Sequence, residues 1–122
     1  VKLQASARTH RNTFTGYGEG YVLLNGERRA SSILVQPERV HDWPVGTFAG
    51  LAEAHFAQIA ALAPEVVLLG TGARQRFPHP RLTAPLARAG AGLEVMDVQA
   101  ACRTYNILMA EDRRVVAALL IE

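Results

Sequence analysis

Residues 65–80 read EVVLLGTGARQRFPHP. The first six are short, branched and almost continuously apolar, the pattern of a central strand covered on both faces of a sheet. Directly behind the VVLL run come two glycines, two arginines, a glutamine and two prolines, a combination that forces a turn. A loop of this kind at the end of a buried strand often offers backbone N–H groups to a ligand.

Reading toward the C-terminus, RLTAPLARAG at 81–90 suits a short helix ended by Gly90, and GLEVM at 92–96 suits a second buried strand. Strand, helix and parallel strand make one βαβ unit. Asp97 stands where the next helix needs an N-cap. That helix should run to about Ala110, with Val98, Ala101, Cys102, Tyr105, Leu108 and Met109 on one face. RVVAALLI at 114–121 completes a second βαβ unit. Residues that follow parallel strands gather at one sheet edge, so the 70–79 loop and Asp97 are expected together there.

Reading toward the N-terminus, Thr47 is positioned to cap a helix reaching about Leu62, because Phe48, Leu51, Ala52, Phe56, Ile59 and Leu62 recur at helical spacing. Pro64 blocks its continuation. EGYVLLNGERRASSILVQ at 19–36 places two β-prone runs around Asn25-Gly26, a dipeptide that accepts the positive φ angles of a type I′ turn. Pro37 interrupts the second run, and RVHDW at 39–43 suits a short further strand before Pro44. Residues 1–13 are polar and aperiodic, a loose arm or a docked edge segment, leaving 14–122 as one domain.

Composition narrows the function. At 122 residues, 49% hydrophobic and 20% charged, the chain has the makeup of one self-sufficient globular domain. Its formal charge of +2 is mild, and the 13 basic residues are scattered among 11 acidic ones, so nucleic acid is not the expected partner. A single cysteine excludes an intramolecular disulfide, no apolar run approaches a membrane span, and no secretory leader is visible. These features point to a cytoplasmic chain. No HxH, HExxH or Cys/His spacing supports a metal, and no cofactor is expected.

The loop Gly70-Thr71-Gly72 is not a lysine-containing phosphate loop, since Lys2 is the only lysine, and it lacks the third glycine of a dinucleotide fingerprint, Gln75 standing there. GYGEGY at 16–21 fails too, its glycines alternating before a hairpin. Arg74 and Arg76 carry planar guanidinium groups that suit carboxylates and phosphates. Two readings are open for this loop: an anion-binding or partner-binding rim, or a plain turn with solvated arginines. Cys102 could be a nucleophile served by His41, His55 or His79, yet its place on an apolar helix face favours core packing. Asp97 could be a general base, but capping already explains it. Thr104 and Asn106 are poor helix formers; one reading has them hydrogen-bonding the 70–76 loop, the other leaves them exposed on the helix surface.

The segments LLGTGARQRFP at 68–78 and GLEVMDVQAACRTYNILMAEDRRVVAALL at 92–120, with the Asn-Gly-Glu hairpin, resemble a domain-of-unknown-function family over about residues 14–121. Its mitochondrial members include respiratory complex I (NADH dehydrogenase) assembly factor 3. The glycine loop followed by Asp97, Ala101-Cys102, Thr104 and Asn106 carries the likeness. The resemblance implies a small three-layer α/β domain, a central mixed sheet flanked by helices plus an N-terminal β-hairpin. It also implies protein partners, with assembly of a membrane or respiratory complex as the role of the mitochondrial branch, and it supplies no catalytic residue. The GTGARQRFP loop is similar to that of bacterial members.

The leading expectation is therefore a non-enzymatic bacterial protein-interaction or assembly domain that uses the sheet edge and loop 70–79. The alternative is a small-molecule or anion site, or a weak enzyme, in which Gly70, Thr71, Gly72, Arg74, Gln75 and Arg76 act with Asp97, Cys102, Thr104 and Asn106. A third possibility is an oligomerisation module pairing through the hairpin edge, the oligomeric state being open.

Overall fold

A computed structural model describes residues 11–122; residues 1–10, most of the expected N-terminal arm, lie outside the described residues. Eight strands and three helices follow in chain order: β1 (Phe14–Gly18), β2 (Tyr21–Leu24), β3 (Glu27–Arg29), β4 (Ile33–Val35), β5 (Val40–Asp42), α1 (Glu53–Ala60), β6 (Val66–Thr71), α2 (Pro80–Arg88), β7 (Gly92–Met96), α3 (Val98–Ala110) and β8 (Val115–Leu120). They form a three-stranded sheet, β1-β2-β3, and a five-stranded mixed sheet of order β5-β4-β8-β6-β7.

β6 and β8 are buried along their whole length and pair in parallel, β7 runs parallel on the far side of β6, and β4 pairs antiparallel with β8. Alternation along the strands splits the core in two. Val66, Leu68, Val115, Ala117 and Leu119 face α3 and the small sheet. Val67, Leu69, Val116, Ala118 and Leu120 face the layer built by α1 and α2. The chain thus leaves β6 by α2 on one face, reaches β7, and returns by α3 on the other face to β8 on the opposite side of β6. That reversal makes the gap between the C-terminal ends of β6 and β8 a topological switch point.

The α3 stripe forms as its spacing predicts: Val98, Ala101, Cys102, Tyr105 and Met109 are all buried, and Asp97 accepts a 2.8 Å bond from the Ala100 N–H. Gly90 ends α2 in a Schellman turn: its φ is +73°, the Gly90 N–H bonds Ala87 O and the Ala91 N–H bonds Leu86 O. Asn25 and Gly26, at φ 54° and 81°, make the expected hairpin turn between β2 and β3.

Four expectations change. The segment Phe48–Leu62 is not one helix. Thr47 caps only a 3-10 turn at Phe48–Gly50, Leu51 is extended, and α1 starts after Ala52, whose N–H bonds the His55 ring. The second hairpin run also divides: Glu27–Arg29 stays with β2, whereas Ile33–Val35 crosses to the large sheet beside β8. β7 is a half-exposed edge strand rather than a second fully covered one, since among the described residues nothing pairs beyond it. β1 was unforeseen. Its two glycines weaken the strand pattern, and it is held instead by Asn106, which accepts from the Phe14 N–H and donates to Phe14 O at 3.0 and 2.8 Å.

Candidate functional site

The loop after β6 folds inward first. Gly70 is where α3 lies closest to the sheet: a Cβ there would stand 3.1 Å from Val98 Cα, 3.2 Å from Ala101 Cβ and 3.0 Å from a Leu119 methyl. Thr71 is fully buried. Its hydroxyl accepts from the Arg76 N–H and donates to Arg74 O, both at 2.8 Å, closing the turn. Gly72 has φ +82°, and its carbonyl accepts from the Val98 N–H at 2.9 Å, joining the loop to the start of α3. Gln75 reaches across to Val95 O on the β7 edge at 2.9 Å.

Arg76 turns back over this frame. Its guanidinium donates to Thr71 O and to Glu122, which follows β8, and lies 4.7 Å from the Phe48 ring centre. The Phe48 N–H and Arg76 together hold the Glu122 carboxyl below the ordinary glutamate range. Arg76 therefore fastens the ends of β6 and β8 to the Phe48 turn. Arg74, by contrast, is exposed and forms no ion pair among the described residues, and Phe77, three residues on, is 71% exposed.

At the switch point lies a groove of about 640 Å³, bounded by the β1–β2 turn, Gly72 and Ala73, the first residues of α3, and Leu120–Glu122. Its charged groups are Glu19, Asp97 and Glu122. Of the expected site residues, Gly72 and Asp97 meet here. Gly70, Thr71, Gln75 and Arg76 shape the loop, Arg74 points outward, and Cys102 and Asn106 lie elsewhere. Cys102 is sealed in the core, and burial pushes its thiol up to about 12, far from a reactive thiolate. Asn106 clamps β1 instead of the loop, and Thr104, half-buried on α3, has no hydrogen bond to the loop.

The other candidate bases are also engaged. His55 accepts from the Ala52 N–H through Nδ1, which leaves Nε2 to donate to Pro44 O. His79 accepts from the Arg81 N–H as the N-cap of α2, and His41 pairs with Gln36. Among the described residues no three His, Cys, Asp or Glu side chains gather closely enough to hold a metal ion. Glu19, Tyr21 and Glu122 were missed from the sequence. Glu122 had a signal, since it directly follows a parallel strand and so must emerge at this edge. The β1–β2 turn had only its glycines: Gly20 takes φ +77°, and the Tyr21 ring folds over Gly18 beneath the Arg28 guanidinium.

Residues 14–120 match the model of the family described as protein of unknown function (DUF498/DUF598). The chain belongs to this family. Among DUF498/DUF598 relatives, NADH dehydrogenase [ubiquinone] 1 alpha subcomplex assembly factor 3 of Bos taurus is 32% identical over 85% of this chain; the match spans 58% of that protein's own length. The 13 kDa major membrane protein of Francisella tularensis is 30% identical, with 88% of this chain and 89% of the relative covered. A crystal structure of a Bordetella parapertussis protein is 50% identical with a TM-score of 0.87, covering 93% of this chain and 98% of the other. A Bordetella pertussis protein described as a Mth938-like domain gives 41% and 0.83, covering 99% and 92%. The fold and family expected from the glycine loop and the 92–120 segment are thus those found. No helix among the described residues is long and apolar enough to cross a membrane.

Proposed function

We propose that this DUF498/DUF598 domain is a non-enzymatic protein-binding module, of bacterial and cytoplasmic type, that assists assembly of a membrane-bound respiratory complex. The observation that carries the reading is Phe77, a large aromatic side chain 71% exposed on a loop whose base is tightly fastened, with the exposed Arg74 three residues before it. A rigidly presented aromatic and an arginine are the residue types that dominate protein interfaces. Support comes also from the assembly-factor name of several relatives, and from the engagement of Cys102, Asp97, His55 and His79 in packing and capping.

The test is quantitative affinity purification of the tagged chain from a bacterial host with a respiratory NADH dehydrogenase, beside a Phe77→Ser, Arg74→Glu double variant. Subunits of that enzyme should be enriched with the unaltered chain and lost with the variant. Equal recovery from both, or no enrichment of such subunits, would overturn the reading. A second reading, ligand binding in the switch-point groove, is favoured by the groove's place and volume, which fall in the range of small-molecule sites. A thermal-shift screen against metabolites, nucleotides and simple ions, repeated with Glu19→Ala, separates it from the first.

A further inference from the structure

At the opposite edge of the large sheet, where β6 and β8 begin, a second groove of about 510 Å³ lies between the segment at Arg11, the β4–β5 turn, the α1–β6 turn and the α3–β8 turn. Among the described residues four arginines line it, Arg11, Arg39, Arg113 and Arg114, brought from three separate places in the sequence. Two are neutralised. Arg11 bonds Asp112 at 2.6 Å and Met109 O at 3.0 Å, and Arg113 lies 3.0 Å from Glu65. Arg39 and Arg114 form no ion pair among the described residues, and residues 1–10 contain no Asp or Glu to supply one.

Against these two guanidinium groups stand two carboxylates: Glu38 in the groove, exposed and unpaired among the described residues, and Glu65 beside it, already engaged by Arg113 and by the Arg114 N–H. Like charges held in one concavity without matching partners raise the local positive potential and draw in an anion. The apolar side of the groove is formed by Pro37, Leu62 and Pro64. Ala63, at φ 54°, turns the chain so that Leu62 and Pro64 flank this wall. An apolar wall in the same groove as two guanidinium forks suits a ligand with a flat hydrophobic body and an oxyanion head, each fork able to hold two oxygens. The volume suits a small molecule rather than a chain.

We propose that this groove is a binding site for a small organic anion with an apolar body and a phosphate or carboxylate head, gripped by Arg39 and Arg114. It is separate from the Phe77 surface and from the switch-point groove, so its failure leaves the assembly reading standing, and the reverse holds too.

The test is calorimetric and thermal-shift titration of the full chain with phenyl phosphate, with inorganic phosphate and phenol as the separated halves of that probe. Phenyl phosphate should bind more tightly than either half. Arg39→Ala with Arg114→Ala should weaken it about tenfold or more, as expected for two lost charge-assisted contacts. Arg81→Ala, on α2 outside this groove, should leave it unchanged. If the double alanine variant does not fold, Arg39→Lys with Arg114→Lys keeps the charge and should still weaken binding by loss of the fork geometry. No binding at millimolar phenyl phosphate, or binding that both double variants leave unaltered, would overturn the site. Association with phosphatidylglycerol vesicles in the absence of phenyl phosphate binding would overturn it as well, assigning the arginines to a lipid surface.

Discussion

The loop after β6 has two halves that sequence composition does not distinguish and the fold treats oppositely. Arg74 and Arg76 are two residues apart on the same turn, yet Arg76 is folded onto Thr71 O and Glu122 while Arg74 stands in solvent. Likewise Gly70 is pressed between α3 and β8, whereas Phe77 projects. The inward half is fastened by hydrogen bonds to residues from β7, α3 and the chain after β8. The outward half is carried by that frame without contributing to it. A surface offered to a partner needs both properties, because a rigid base lowers the ordering cost of the contact residues.

The sharpest way to break this contrast is to load the inward half. Gly70→Val should destabilise the domain by about 3 kcal/mol, since Val98 Cα and Ala101 must move to admit the side chain, and urea unfolding will read it. A Gly70→Val chain of unchanged midpoint would mean that α3 is free to lift from the sheet. Thr71→Val keeps the shape but strands the Arg76 N–H, and should cost about 2 kcal/mol in the same assay.

Glu122→Gln should cost about 1 kcal/mol or less near neutral pH, the carboxylate being partly exposed to solvent. Its pH signature is more telling. Because the folded state holds the Glu122 carboxyl below its ordinary value, the contribution is present above about pH 4.3 and is lost as pH falls through the folded value. Acid titrations of stability should therefore be shallower for Glu122→Gln than for the unaltered chain. Matching curves would mean that Arg76 and Phe48 do not hold this carboxylate in solution. The smallest effect belongs to the outward half: Arg74→Ala and Phe77→Ser should each change stability by no more than about 0.5 kcal/mol. A larger loss from either would show that the outward half is part of the frame.

Legibility followed the range of the interactions involved. The VVLL and VVAALL runs, the α3 stripe and the Asn25-Gly26 turn were readable, because burial on both faces, helical spacing and positive φ leave local marks. Phe48–Leu62 misled because its apolar spacing is continuous across Gly50 and Leu51. The extended Leu51 is instead buried with Trp43, Val45 and Phe56 on the α1 side of the sheet. Asn106 stands out as an odd helix residue, but neither a bond to the 70–76 loop nor surface exposure describes it, since its partner, the Phe14 backbone, lies 92 residues away. Of the candidate site, Gly72 and Asp97 were foreseen together at one edge. Arg74 and Arg76 could not be told apart, because the difference rests on Glu122, 46 residues beyond Arg76.

The sequence by itself determined that β6 and β8 are strands with two buried faces, where α2 ends and α3 begins, and that the chain belongs with the DUF498/DUF598 domains. Only the tertiary structure decided that β8 lies between β4 and β6, that Ile33–Val35 leaves the hairpin for the large sheet, and that a groove opens between β6 and β8. The physical reason is that periodicity and turn chemistry are written within a few residues of chain, whereas strand order and the pairing of charges are chosen by contacts across dozens of residues, which leave no local trace.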